Sequence, residues 1–461
     1  MKIASNSFIV METGSSFFAK EPTMKVKITR YLAPCLILLL PSILPATEIA
    51  IDSNTIVRIE QRDVTGSGKQ KIYPATQFLG LDAGKLAGGN LSLHFFGWGR
   101  ADLGDDSYNQ QKTDGGFTYG YLRYRFDAAN AEIRAGRFFV REGVVNEQVD
   151  GINVRSDLPL GFGISAFGGA TVHNKKLYRE DSDGKGDTLF GGRFNYRFKG
   201  MLDLGISGVY EGEAPTLLTH ANGDHRLVGG DVWLAPLKQL ELTGHSSYNT
   251  ETSALAEHSY LLNIKPMQQL TLSGEFNEHR EQSYFYSWAM FSGAGLNPDD
   301  RSRSAGAVVS YLVRKGVEVA GDYKHYNRET GDADRYGAQI RLSLLDHALR
   351  TGVGYHYLSA GESFAIDASP SASYHEIRAY ALHDTKTYFA AVDLLGFFFR
   401  DKIYDKKSDI EGLLSIGYHI SPVLALSGDI SYGRNPEFTQ EIKGLVRLAY
   451  NPVFGGKGVS K

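Results

Sequence analysis

DVWLAPLKQLELTGHSSYNTETSALAEHSYLLNIKPMQQLTLSGEFNE, residues 231–278, is the stretch on which the fold can be read. From Lys238 onward, Leu240, Leu242, Gly244 and Tyr248 share one parity, and Glu241, Thr243, His245 and Ser247 share the other. A period of two with one apolar face is the signature of a β-strand, not of a helix. The pattern breaks at Ala235-Pro236-Leu237 and at Lys265-Pro266-Met267, and more softly through the polar run 249–253. Tight turns therefore alternate with longer, wetter loops.

The same unit recurs along the chain. LELTG at 240–244, LTLSG at 270–274 and LALSG at 424–428 each follow a proline turn. Upstream, Leu122, Tyr124 and Phe126 alternate with Tyr121, Arg123 and Arg125, and Ile133 and Ala135 with Glu132 and Arg134. Phe190, Phe194, Tyr196 and Phe198 likewise oppose Arg193, Asn195 and Arg197. Strands of about ten residues, apolar on one face and polar on the other, with connections alternately short and long, mark a transmembrane β-barrel. The expected fold is all-β: a single antiparallel transmembrane barrel of about 22 strands, within roughly 18 to 22, with short periplasmic turns and longer extracellular loops. An open sheet of that extent would leave unstable edges, and in lipid only closure satisfies the backbone.

Composition agrees. With 42% hydrophobic and 22% charged residues and a mean hydropathy of -0.25, a multi-helix membrane protein is excluded, whereas a barrel needs only alternate residues apolar. Gly 52, Tyr 26 and Phe 25 against Cys 1 and Met 6 suit many short strands with aromatic girdles. A net charge of -3 lacks the basic excess of a nucleic-acid binder.

The N-terminus reads as an export signal. Lys25, Lys27 and Arg30 precede the apolar run 36–40, and SILPA at 42–46 offers a cleavage region. Residues 1–23 are polar, so Met24 is the expected start, 24–46 the signal peptide and 47–461 the barrel of a Gram-negative outer membrane. Cys35 precedes the apolar core instead of following it, unlike a lipoprotein cysteine. The mature chain then holds no cysteine, and no C-x-x-C-H haem attachment of its own.

Candidate chemistry concentrates on the polar parity. Arg123, Arg125, Glu132, Arg134, Arg193, Arg197, Asp322, Lys324 and Arg447 are the expected lumen-lining residues, able to form a charged constriction or simply a polar, internally paired wall. The aromatic segment 278–303, with Tyr284, Phe285, Tyr286, Trp288 and Phe291, can fold inward or belong to a girdle. The acidic loop 180–187 departs from a calcium loop, since Lys185 takes a ligand position and Gly192 stands where the bidentate Glu belongs. GHSSYN, with His245 and Ser247, is similar to the His-x-Ser arrangement of outer-membrane phospholipases. Parity turns both residues toward the lumen instead of lipid, and that family's barrel is smaller, so the chain is read as not an enzyme, with an outer-membrane hydrolase as a minor alternative. No metal or cofactor of its own is expected.

As a whole the mature chain resembles the porin-like outer-membrane barrels of Gram-negative bacteria. GRFFVREGVVNEQVDGINVRSDLPLGFGISAFGG, residues 136–169, together with the rest of the mature chain, also resembles the barrel components of porin-cytochrome complexes in metal-reducing bacteria. That resemblance implies a sheath around a multihaem cytochrome, with periplasmic and surface c-type cytochromes as partners and electrons crossing through haems on the partner. The alternative is a general or anion-preferring diffusion porin for small solutes.

Overall fold

The computed structural model describes residues 48–64, 68–86, 89–104, 112–172, 188–212, 225–251, 253–279, 301–328, 331–361, 373–403, 405–436 and 438–455. The expected signal segment, the acidic loop 180–187 and most of the aromatic segment 278–303 lie outside them.

The strand segments run β1 (Glu48–Val64), β2 (Gly68–Ile72), β3 (Pro74–Leu86), β4 (Leu91–Asp102), β5 (Thr113–Phe126), β6 (Ala131–Glu142), β7 (Val145–Asp157) and β8 (Phe162–Thr171). They continue as β9 (Thr188–Phe198), β10 (Leu202–Glu211), β11 (His225–Leu237), β12 (Leu240–Asn249), β13 (Ala254–Met267), β14 (Leu270–His279), β15 (Ser302–Arg314) and β16 (Val317–Arg328). The last are β17 (Gly331–Leu344), β18 (Leu349–Ala360), β19 (Tyr374–Asp384), β20 (Tyr388–Ile403), β21 (Lys406–Ser421), β22 (Leu424–Arg434), β23 (Phe438–Tyr450) and β24 (Val453–Phe454).

From β3 to β23 each strand pairs antiparallel with the next. β1 closes the circuit, lying between β3, where Glu48 faces Gly84, and β23, where Ser53 faces Tyr450. β2 and β3 both pair with β1 and form one interrupted strand, and β24 continues β23 along β1, so the wall is a closed antiparallel barrel of 22 strands. Followed through the registered pairs, one circuit returns to β1 displaced by about 24 residues, which sets a strand tilt of roughly 40° and a backbone radius of about 20 Å.

The two parities separate as the alternation requires. Leu122, Tyr124, Ile206, Val228, Ile340, Val353, Ile416 and Ile430 are all exposed, although they are large and apolar. They belong to an apolar outer face that surrounds the barrel, so hydrocarbon is the solvent that suits it. The chain is thus a transmembrane barrel of the kind found in Gram-negative outer membranes.

Local chemistry explains the short-turn end. Lys199 (φ 49°) and Gly200 (φ 65°) make the primed hairpin turn whose twist matches the flanking strands, and Asn130 (φ 43°) closes the turn after Phe126. The proline stretches do not end their strands: β11 runs on to Leu237 and β13 to Met267, each with a register shift next to its proline. A proline cannot donate to the ladder, so the pairing skips it in a bulge.

Two strands depart from the expected reading. The segment 139–148, which falls between the expected strands 131–138 and 149–155, is strand on both sides of a two-residue turn, Gly143-Val144. β6 and β7 pair from Ala131↔Ser156 to Glu142↔Val145. Yet β6 pairs with β5 only as far as Arg137, and β7 pairs with β8 only from Val149 onward. Among the described residues, 138–148 form a hairpin tip with no strand partner outside their own pair, while Gln148 at its base accepts from the Val172 N–H and donates to the Thr118 carbonyl.

Candidate functional site

The hairpin tip leaves the wall where glycines permit it. Gly136 (φ +129°) faces Gly151 across β6 and β7, and a Cβ on Gly136 would lie 2.3 Å from the Gly120 carbonyl oxygen. Gly136→Val, which forces a side chain into that backbone, is expected to cost at least about 2 kcal/mol of barrel stability, checked by urea unfolding in lipid vesicles.

Beyond these glycines the polarity of the strands inverts. Below the bend, Ile133 and Ala135 take the lipid parity, and so do Ile152 and Val154. Above it, that parity carries Arg137, Arg141, Asn146, Gln148 and Asp150 with one apolar member, Phe139, while Phe138, Val140, Val145 and Val149 take the lumen parity together with Glu142 and Glu147. Arg137 and Asp150 face each other and form a bidentate ion pair, Nε–Oδ1 2.7 Å and Nη2–Oδ2 2.6 Å.

The apolar face of the tip is buried. Phe138, Val140, Val145 and Val149 cluster with Phe167, Leu189, Val209, Leu227 and Ala256. Phe167, Leu189, Val209 and Leu227 share the parity of Ser165, Arg193, Ser207 and Asp231, which is the polar, inner face of β8 to β11. The tip has therefore folded into the lumen and lies on the inside of the wall. Polar groups pin it: the Val144 N–H donates to Ser207 Oγ at 3.0 Å, and Ser165 Oγ donates to the Glu142 carboxylate. The turn itself comes close to the wall at a glycine, since a Cβ on Gly143 would lie 2.2 Å from Ser207 Oγ.

Beneath the tip lies a cluster of paired charges. Arg193 holds Asp231 (Nη2–Oδ1 2.5 Å, Nε–Oδ2 3.0 Å) and Asp203 (3.0 Å), while Asn195 also donates to Asp203. Arg197 pairs with Asp157. Arg193→Ala leaves two carboxylates facing each other without their shared cation. Because water reaches the site, the expected loss is about 2 kcal/mol, less than for a fully buried pair, with partial recovery in Arg193→Lys; chemical unfolding measures both.

The other expected lumen residues fall into separate groups. Arg134 pairs with Glu132 at 2.5 Å, with Arg155 3.4 Å from the same carboxylate. Arg123 donates from Nε to Ser92 Oγ (3.2 Å), and Arg125 from Nη2 to Asn130 Oδ1 (3.2 Å). Across the barrel, Asp322 meets Arg335 and His356, both at 3.2 Å, and Lys324 meets Glu275 at 2.6 Å. Arg447 stands opposite Ile56 and Ser427 in the register. The groups lie on different sides of the wall, each with acids or hydroxyls beside its cations.

Sequence reasoning missed the acidic partners Asp157, Asp203, Asp231 and Glu275, because register, not spacing, brings them to their cations. It also missed the hairpin tip, although the polarity inversion around Gly136 and Gly151 was a usable signal. His245 is bound at 3.1 Å by Glu257, which also lies 3.5 Å from His279. Among the described residues no group of His, Cys, Asp and Glu has the arrangement to hold a metal ion.

No protein-family description matches the sequence, and no curated protein matches it. Solved structures do match in fold. A mutant of the ferric enterobactin receptor PfeA from Pseudomonas aeruginosa aligns with TM-score 0.55 at 10% identity, over 87% of this chain and 80% of that one. OpdQ from Pseudomonas aeruginosa aligns at TM-score 0.43 and 11% identity, over 88% and 99%. OccAB4 from Acinetobacter baumannii gives 0.43 and 9%, over 89% and 99%. At these identities the likeness is one of fold, a large closed β-barrel.

Proposed function

We propose that this barrel is a sheath for a multihaem cytochrome in electron transfer across the outer membrane. The observation that carries the reading is breadth. A backbone radius of about 20 Å leaves roughly 25–30 Å between facing side chains away from the hairpin tip, enough for a folded guest and far more than a small solute needs. The only cysteine in the sequence is Cys35, in the expected signal segment, so covalently attached haem would belong to periplasmic and surface c-type cytochromes and not to this chain. The wall supplies insulation from lipid. Its inner ion pairs, with Arg193, Arg335 and Lys324 beside carboxylates, offer a hydrated, near-neutral surface to a guest.

A second reading, a diffusion porin for small solutes, is favoured by the hairpin tip, since an element folded into a lumen narrows it. The pairing of the inner arginines with acids weakens the case for a strong anion preference. Gentle detergent extraction of the tagged protein from its native outer membrane, with haem absorbance and subunit stoichiometry, separates the readings. Several covalent haems on a co-purifying chain, with close to one such chain per barrel, are the expected result. A haem-free barrel with stable conductance in planar bilayers would overturn the sheath and establish the porin.

A further inference from the structure

We propose that the inner wall of β3 to β5 carries a binding site for a small organic cation, a methylated ammonium of the choline type, formed by Phe78, Phe96 and Tyr119 with the carboxylates of Asp52 and Asp82. The site belongs to the wall alone and is the same whether the lumen serves a guest or solutes.

Register brings the rings together. Phe78 on β3, His94, Phe96 and Trp98 on β4, and Tyr119 and Tyr121 on β5 share the lumen face with Arg123. Phe78 stacks with Phe96 (centroids 6.3 Å apart, planes at 23°), Phe96 stacks with Tyr119 (5.7 Å, 21°), and Tyr119 leans on Tyr121 (6.1 Å). Phe78, Phe96, Trp98 and Tyr119 are only half-buried. An aromatic surface left open on a hydrated wall marks a contact site.

Charge decides what that surface contacts. Asp52 stands in one register row with Gly80, Phe96 and Tyr119, and Asp82 in the next with His94 and Tyr121. Gly80 puts no side chain between Asp52 and the ring beside it, since a Cβ there would lie 3.3 Å from both Asp52 Cβ and Phe96 Cδ2. Asp52 accepts from the Asn54 amide at 2.6 Å, and Asp82 is bonded to His94 Nδ1 at 2.5 Å. Among the described residues no lysine or arginine is ion-paired with either, in contrast to Asp203, Asp231, Glu275 and Asp322.

Ring faces attract cations, above all weakly hydrated ones that ask for no hydrogen bonds, and the two carboxylates supply the counter-charge. The same run of rings already receives one cation of the chain itself, the Arg134 guanidinium, 6.0 Å from the Tyr121 centroid. At the other end, beside Asp52, the Phe78 and Phe96 rings hold no such cation among the described residues. A sugar would use the rings, but uncompensated negative charge favours a cation over a neutral ligand.

The test uses the purified full chain in a polyoxyethylene detergent. The probes are choline and its uncharged analogue with carbon in place of the nitrogen, and binding is read as saturation transfer to their methyl protons in NMR. Choline is expected to bind saturably and at least about tenfold more tightly than the analogue. Asp52→Asn with Asp82→Asn is expected to weaken choline about tenfold and Phe96→Leu about threefold to fivefold, while Asp429→Asn, beside Ser415 elsewhere on the inner wall, leaves binding unchanged. Gel heat-modifiability shows that each variant is folded, and where one is not, the two probes on the wild type decide. Equal binding of the two probes, no saturable choline binding, retention of glucose or of a lysine-rich peptide in place of choline, or wild-type affinity in the folded double variant each overturns the proposal. A loss in Asp429→Asn as large as in the double variant does the same, because it traces binding to lumen charge in general. None of these results bears on co-purifying haem, so the sheath and the cation site stand or fall separately.

Discussion

Val149→Asp releases the hairpin tip and opens Arg141 to trypsin. Val149 is 0% exposed and sits at the base of the tip, packed among Phe138, Phe167 and Leu189. An aspartate there buries a carboxylate in apolar surroundings, costing about 3–5 kcal/mol unless the tip lifts off and hydrates it. Lifting leaves the wall intact, because, among the described residues, 138–147 pair with no strand outside their own hairpin. The barrel is therefore expected to stay folded while cleavage after Arg141 becomes rapid; in the wild type the docked strand resists it. Val149→Ala, which only trims volume, is expected to cost about 1–2 kcal/mol and to raise cleavage slightly. Limited proteolysis followed by mass spectrometry distinguishes these outcomes, and trypsin resistance in a folded Val149→Asp barrel would show that the tip is not held by this cluster.

The second large effect concerns the outer wall. Leu414 on β21 lies between Val392 and Ile430 in the register, and all three are exposed. Leu414→Arg places a cation in the apolar band and is expected to cost about 2–4 kcal/mol if the residue lies near the bilayer midplane. Its chain neighbour Ser415 points to the other face and is hydrogen-bonded to Asp429. Ser415→Arg puts the same charge beside a carboxylate in water, with an expected cost under about 1 kcal/mol. Guanidinium unfolding in lipid vesicles measures both, and equal costs at the two positions would contradict the assignment of lipid and lumen faces.

Much of the wall was legible in the chain because alternation is local. Leu240, Leu242, Gly244 and Tyr248 against Glu241, Thr243, His245 and Ser247 state which face each residue takes without reference to any partner, and the strand number follows from repeating that reading. The turns at Lys199-Gly200 and after Ala129 were legible for the same reason, since positive φ is a property of single residues. The proline stretches were misread as strand ends because a missing N–H marks a break in the ladder but does not say whether pairing resumes beyond it.

The lumen was legible only as a list. Arg193 was assigned to the polar parity, yet its partners Asp203 and Asp231 come from the next two strands, and nothing in the spacing of 193, 203 and 231 announces that they meet. Arg123 and Arg125 are consecutive members of one parity and still bind different partners on different strands. The polarity inversion around Gly136 was written in the sequence, but Phe138-Phe139-Val140 is apolar on both parities, and an apolar run does not by itself reveal which way it will bend.

The sequence by itself determined the closed antiparallel wall and its two faces, because side chains alternate with a period of two and backbone groups in lipid must all be paired. Only the tertiary structure decided what stands inside. Whether a hairpin rejoins its neighbours or folds onto the inner wall depends on a surface assembled from β8 to β11, far along the chain, whose apolar side chains and hydroxyls come together only once the barrel has closed.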